Sequence, residues 1–125
     1  MKKISLIALL MLMVCGIGYA KKNGAKIEMA ETVWDFGTIP RNKGVAHDFV
    51  FTNTGDSNLV IIDATTQCGC TVAEVPQEPI APGKQGKIKV VYNAVGMPQS
   101  FEKTVTVKTN GTPKKLHLKV RGILK

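Results

Sequence analysis

Residues that carry chemistry are scarce in this sequence. It has two histidines, three cysteines and one tryptophan, and their placement removes most enzyme classes. His47 precedes the Phe49/Phe51 run, and His117 alternates with Leu116 and Leu118, positions that suit structural or surface imidazoles better than metal ligands. The metal candidates shrink to Cys68 and Cys70. Two close thiolates suit a soft cation such as Cu(I), or Zn(II) if two more ligands join them. No G-x-S-x-G, no ordered Ser/His/Asp set and no phosphate-cradling glycine loop is present. No cofactor is expected, and the chain reads as non-catalytic. Basic residues are not interleaved with aromatics, so nucleic acid is not an expected partner. Helix-length apolar periodicity is also missing beyond the first twenty residues.

Those twenty residues form a segment of their own. Met1-Lys2-Lys3 is a positive start, Ile4 to Val14 is apolar but for Ser5, and Gly18 and Ala20 are small residues at −3 and −1 before Lys21. That pattern predicts a signal peptide over residues 1–20, too short in its apolar run to cross a bilayer core of roughly 30 Å. Cys15, with Leu12 at its −3 position, offers lipid anchoring as the alternative. The bulky Val14 fits that signal poorly, so cleavage after Ala20 is preferred. The expected location is the periplasm or cell envelope, with no integral membrane segment after cleavage. Without Lys2 and Lys3 the chain keeps 15 basic residues against 9 acidic ones, net +6, with lysines gathered near both ends. Such a surface attracts anionic lipid or glycan, though dispersed solvating charge needs no partner.

Residues 21–26 (KKNGAK) read as a linker leading to one domain over 27–125. Ile27–Ala30, Thr32–Phe36, Val45–Thr52, Gly86–Tyr92, Phe101–Thr109 and Leu116–Arg121 carry the alternation or β-rich content of strands. Leu59–Ile62 is continuously apolar, which predicts a strand buried on both faces. Turn clusters at Ile39–Gly44, Asn53–Asn58 and Asn110-Gly111, with a loop over Asn93–Ser100, separate them. Seven to eight short strands with regular punctuation predict an all-β, immunoglobulin-like antiparallel sandwich. Its expected core is Trp34, Phe36, Phe49, Phe51, Ile61, Val90, Tyr92, Phe101, Val105 and Leu118. Asp35, beside Phe36-Gly37, reads as a carboxylate that satisfies turn backbone.

The distinctive stretch is Cys68-Gly69-Cys70-Thr71, followed by a turn containing Pro79, Pro82 and Gly83. In a flat strand, residues i and i+2 lie about 6.5–7 Å apart at Cα, too far for a relaxed disulfide. Gly69 offers the backbone freedom to close that gap. A disulfide, two packed thiols, and a metal or redox pair therefore all remain open. A bridge over so small a loop would be readily reduced. Against redox catalysis, C-x-C between strands lacks the helix start that lowers a thiol pKa in C-x-x-C proteins.

The order of motifs is itself informative. Trp34-Asp35-Phe36-Gly37-Thr38-Ile39 comes first, then His47-Asp48-Phe49-Val50-Phe51-Thr52-Asn53-Thr54-Gly55-Asp56. Leu59-Val60-Ile61, Cys68-Gly69-Cys70-Thr71 and Pro79-Ile80-Ala81-Pro82-Gly83-Lys84-Gln85-Gly86 follow. Tyr92-Asn93, Phe101-Glu102-Lys103-Thr104-Val105 and Thr109-Asn110 complete the series. This series resembles the bacterial domain-of-unknown-function 1573 family from roughly Ile27 to Gly122. It departs from the family at Ser100, where glycine is frequent. The resemblance implies an exported immunoglobulin-like domain, akin to major sperm protein and ASPM–SPD-2–Hydin sandwiches, which bind or scaffold. The expected role is a protein-interaction or envelope-structural module whose partner is another envelope protein. Metal or thiol-redox chemistry at Cys68 and Cys70, and a basic domain on an anionic envelope surface, are the alternatives.

Overall fold

Alternation along the chain becomes two stacked sheets in the computed structural model, which describes residues 23–94 and 96–125. The strands are β1 (Ile27–Met29), β2 (Val33–Ile39), β3 (Lys43–Asn53), β4 (Ile61–Thr66), β5 (Thr71–Glu74), β6 (Gln85–Ala94), β7 (Gln99–Thr109) and β8 (Lys115–Leu124). One sheet has the order β1-β3-β6-β5 and the other β2-β8-β7-β4. The signal peptide, cleavage after Ala20, lipidation at Cys15, and Lys21 and Lys22 of the linker all lie outside the described residues.

Each central strand turns alternate residues inward, as the pleat requires. Phe49 and Phe51 of β3, with Ile88 and Val90 of β6, meet Val105 and Val107 of β7 and Leu118 and Val120 of β8 in the main core. Ile39, Tyr92, Ala94, Phe101 and Leu124 close one end, where the Tyr92 and Phe101 rings stack at 4.1 Å. Phe36 is half-buried against both groups. Gly122 takes an inward position because a Cβ there would lie 2.8 Å from the Phe101 ring. The strand therefore runs on through Gly122 to Leu124 instead of ending before it.

Five local expectations are corrected. Trp34 is not core: it stays 37% exposed because β2 is an edge strand, and its ring stacks on His47 at 3.9 Å. Leu59–Ile62 is not buried on both faces. Leu59 and Ile61 point in while Ile62 is 60% exposed, since this sheet packs on one side only. The sandwich is not wholly antiparallel either, for β2 joins β8 in parallel, Val33 opposite Lys119 and Thr38 opposite Ile123. The loop foreseen over Asn93–Ser100 is shorter, because β6 continues to Ala94 and β7 begins at Gln99. Asn110-Gly111 does not form a two-residue hairpin: residues 110–114 all lie between β7 and β8, with a cis Thr112–Pro113 bond.

Asn53 ties the turns at the other end together. Its side chain is fully buried and uses all its capacity. Oδ1 accepts the Lys26 and Gly55 N–H groups at 3.3 and 3.0 Å. Nδ2 donates to the Ser57 and Ile80 carbonyls at 2.8 and 2.9 Å. Its backbone pairs with the proline turn: Asn53 N–H donates to the Lys84 carbonyl, and Gly83 N–H donates to the Asn53 carbonyl. In that turn Lys84 N–H reaches the Ala81 carbonyl at 3.0 Å. Pro82 stands at i+1 and Gly83, φ +80°, at i+2, the residue order of a type II turn.

The chain before β1 is docked rather than free from Asn23 on. Asn23 and Gly24 N–H groups each donate to the Asp56 carboxylate at 2.8 Å. Ala25 is buried; its carbonyl accepts the Thr112 N–H, and the Thr112 carbonyl accepts the Ile27 N–H. The Asn23 N–H, then that of Gly24, holds the Asp56 carboxyl below the usual aspartate value of 3.8. A depressed folded pKa adds stability that is present above the unfolded value and lost as pH falls through the folded one.

Two outcomes are expected. Asn53→Ala removes four hydrogen bonds at a buried site and lowers unfolding stability by about 3 kcal/mol, read as a drop in denaturant midpoint at constant slope. Asp56→Ala removes amide-exchange protection at Asn23 and Gly24 at neutral pH. In the unaltered protein the same protection fades only as pH falls below the ordinary aspartate range. Persistent protection in the variant would show that another group holds the segment.

Candidate functional site

The chain passes from β4 in one sheet to β5 in the other through four residues, Gln67–Cys70. So short a crossing forces a tight turn, and hydrogen bonds close it. Thr71 N–H donates to the Cys68 carbonyl at 3.2 Å, and the Thr66 hydroxyl reaches the Cys68 and Thr71 carbonyls at 3.1 and 2.9 Å. This β-turn brings the cysteine Cα atoms to 5.3 Å, and their sulfurs are joined as a disulfide. Gly69 is not among the residues with positive φ. The turn, not glycine's special freedom, supplies the closeness.

A disulfide sulfur is no thiolate ligand. Among the described residues no group of three or more His, Cys, Asp or Glu side chains is placed to hold a metal. Nor is the bridge much of a staple. Closing three residues restricts the unfolded chain by about 1.6 kcal/mol, roughly half the effect of a 15-residue loop, on the chain-entropy estimate. The hydrogen bonds of Thr66 and Thr71 already hold the same turn.

Around the bridge the two sulfurs differ. Cys70 packs against the Ile39–Tyr92–Phe101 end of the core, and its Sγ lies 3.7 Å from the Thr71 hydroxyl. Cys68 Sγ accepts the Cys70 N–H at 3.3 Å and lines a recess of about 210 Å³ with Thr66, Gln67, Glu102, Lys103 and Thr104. Lys103 occupies the inward register between Phe101 and Val105 and is half-buried there. The alternation of β7 already set Lys103 on the Phe101/Val105 face, the one sequence signal for a cation beside the cysteines.

The turn with Pro79, Pro82 and Gly83 is elsewhere. Thr71 pairs with Tyr92 near the C-terminal end of β6, whereas Gly83 and Lys84 precede its start, so the two motifs sit at opposite ends. Beside the proline turn is a groove of about 760 Å³, lined by Val50, Val75, Pro76 and Ile80 with Glu74, Lys87 and Lys89 among its polar residues. β5 covers β6 only over Lys89–Tyr92. Among the described residues no strand pairs with Gln85–Ile88 on that side.

A third cluster joins the sheets at the opposite edge. His47 lies between the Trp34 ring and the edge of Phe49 and contacts the Glu31 carboxylate. The sequence singles out Trp34 and His47 but gives no signal for Glu31, which meets His47 only because the chain entering β2 packs beside β3. Asp35 does accept the Gly37 N–H, at 2.8 Å. It also faces Arg121 at 3.4 Å, while Lys119 faces Glu102 at 3.5 Å and Lys87 faces Asp48 at 3.6 Å. His117 sits 3.2 Å from the Thr106 hydroxyl.

Solved structures share this architecture. A Porphyromonas gingivalis W83 protein of unknown function superposes with a TM-score of 0.71 at 16% identity, over 86% of this chain and 50% of that one. The chain thus spans half the length of that protein. The human CEP192 PapD-like domain 7, an ASH / PapD-like domain, gives 0.63 at 10% identity over 85% and 89%. WR4, a C. elegans MSP family member, gives 0.50 at 10% identity over 79% and 97%. At these identities the likeness is one of fold. No curated protein matches the chain. The motif order along the strands has its counterpart in a sequence match over residues 27–124, and the chain belongs to the family described as "Protein of unknown function (DUF1573)".

Proposed function

We propose that this protein is a non-catalytic interaction module of the cell envelope that holds an extended segment of another envelope protein along β6. The supporting observation is the unpaired edge at Gln85–Ile88 beside the apolar groove. A free strand edge offers a row of N–H and C=O groups to an incoming strand, and side-chain pockets beside it add selectivity. Val50 is exposed there, and Ile80 and Val75 are half-buried, so an apolar side chain of the incoming strand removes surface from water at about 25 cal/mol per Å². Lys87 and Lys89 line the groove with Glu74, but Lys87 also faces Asp48 and Lys89 stands opposite Glu74, so the apolar side chains carry more of the selectivity than charge does. The signal-like residues 1–20 support delivery to the envelope.

The rival reading, electrostatic attachment to an anionic surface, draws less support. Lys87, Lys119 and Arg121 each face a carboxylate, which reduces the free charge available. The exposed pairs themselves are worth little individually.

A proline-free peptide alternating valine and aspartate serves as the probe. It is expected to shift the backbone amide signals of Gln85–Ile88, and Val50→Asp weakens its binding by about tenfold, some 1.4 kcal/mol. A proline at the peptide's centre removes a ladder donor and abolishes binding. Shifts confined to the lysine-rich β8 face, fading with salt, would instead establish the electrostatic reading.

A further inference from the structure

We propose that Cys68 and Cys70 form a thiol–disulfide exchange site that accepts electrons from a dithiol, with Cys68 as the sulfur attacked. The bridge is a weak staple in a turn held by other bonds, so opening it leaves the fold intact. Its sulfurs are unequally placed: Cys68 lines the recess, while Cys70 is packed against the core end. The helix start used by C-x-x-C proteins is absent, but its work can be done by other donors. Cys70 N–H points at Cys68 Sγ, the Thr71 hydroxyl adjoins Cys70 Sγ, and Lys103 brings positive charge to a recess whose carboxylate, Glu102, faces Lys119. A nearby cation and N–H donors favour a thiolate over a thiol.

The exchange proceeds in two displacements. A substrate thiolate attacks Cys68 Sγ, and a new sulfur–sulfur bond forms as the Cys68–Cys70 bond breaks. The electron pair leaves on Cys70, which takes a proton from solvent. The substrate's second thiolate then attacks the substrate sulfur of the mixed disulfide and expels Cys68 as a thiolate, received by the Cys70 N–H and protonated in turn. The substrate dithiol ends as a disulfide, and the pair holds the two electrons and two protons. Lys103 acts as a positioning residue that draws the anionic thiolate into the recess, since unlike charges attract at short range.

The test uses the full chain carrying Cys15→Ser, so that only two sulfurs count, with dithiothreitol and glutathione as probes and alkylation mass as the readout. Millimolar dithiothreitol is expected to open the bridge under native conditions, with the thermal midpoint shifted by only a few degrees. In Cys70→Ser, Cys68 forms a mixed disulfide with oxidised glutathione, releasing reduced glutathione, about tenfold faster than Cys70 does in Cys68→Ser, as access to its thiolate dictates. Lys103→Gln slows bridge opening by reduced glutathione, whose attacking form carries two net negative charges, about threefold more than opening by mercaptoethanol, whose thiolate carries one, and Lys103→Arg restores it. A bridge that opens only on unfolding overturns the proposal. So does a Cys70 that reacts as fast as Cys68, or a Lys103→Gln rate unchanged toward glutathione.

Discussion

The buried amide of Asn53 is the constraint on which one end of this sandwich depends. A polar side chain without water must find every partner in the protein, and Asn53 finds them in three separate segments: the chain entering β1, the Gly55–Ser57 turn, and Ile80. None of those segments has enough apolar surface to fix itself. Their common reference is one amide group, and the register of β1 on β3 and the position of the proline turn follow from it. Ile80, whose carbonyl accepts from Asn53, is one wall of the groove beside β6.

The other end is governed by chain economy. β4 and β5 lie in different sheets, and only four residues separate them. A crossing of that length cannot wander, so a hydrogen-bonded turn forms and places two cysteines within bonding distance. The disulfide is thus a consequence of the turn more than its cause. Tyr92 and Phe101 supply the apolar floor beneath it, and Lys103, at the single polar interruption of an inward-facing run, stands at its rim.

Much of the fold was legible because burial on one face imposes a period of two. Phe49/Phe51, Ile88/Val90/Tyr92 and Phe101/Val105 announced their strands and their inward faces without any neighbour being known. Trp34 misled for a reason the pattern cannot contain: an edge strand leaves even a large ring partly in water, and which strand is an edge is a property of the sheet order. Leu59–Ile62 misled similarly, since a continuous apolar run looks the same whether both faces are covered or one is left bare. The polar run before β1 was read as a linker because its partner, Asp56, is far along the chain.

Of the candidate sites, the cysteine pair was visible as a motif, while its state and surroundings were not. Composition and local alternation by themselves determined an all-β chain, every strand but β5 (Thr71–Glu74), the turn residues such as Pro82-Gly83, and a leader-like start. These are short-range properties, set by side-chain volume, pleat and backbone angle. Tertiary structure alone decided the parallel β2–β8 pairing, the burial of Asn53, the open stretch of β6, and the meeting of Lys103 with Cys68. Each of those depends on which distant segments share a sheet or face one another, and contacts between residues far apart in sequence leave no periodic trace in the chain that makes them.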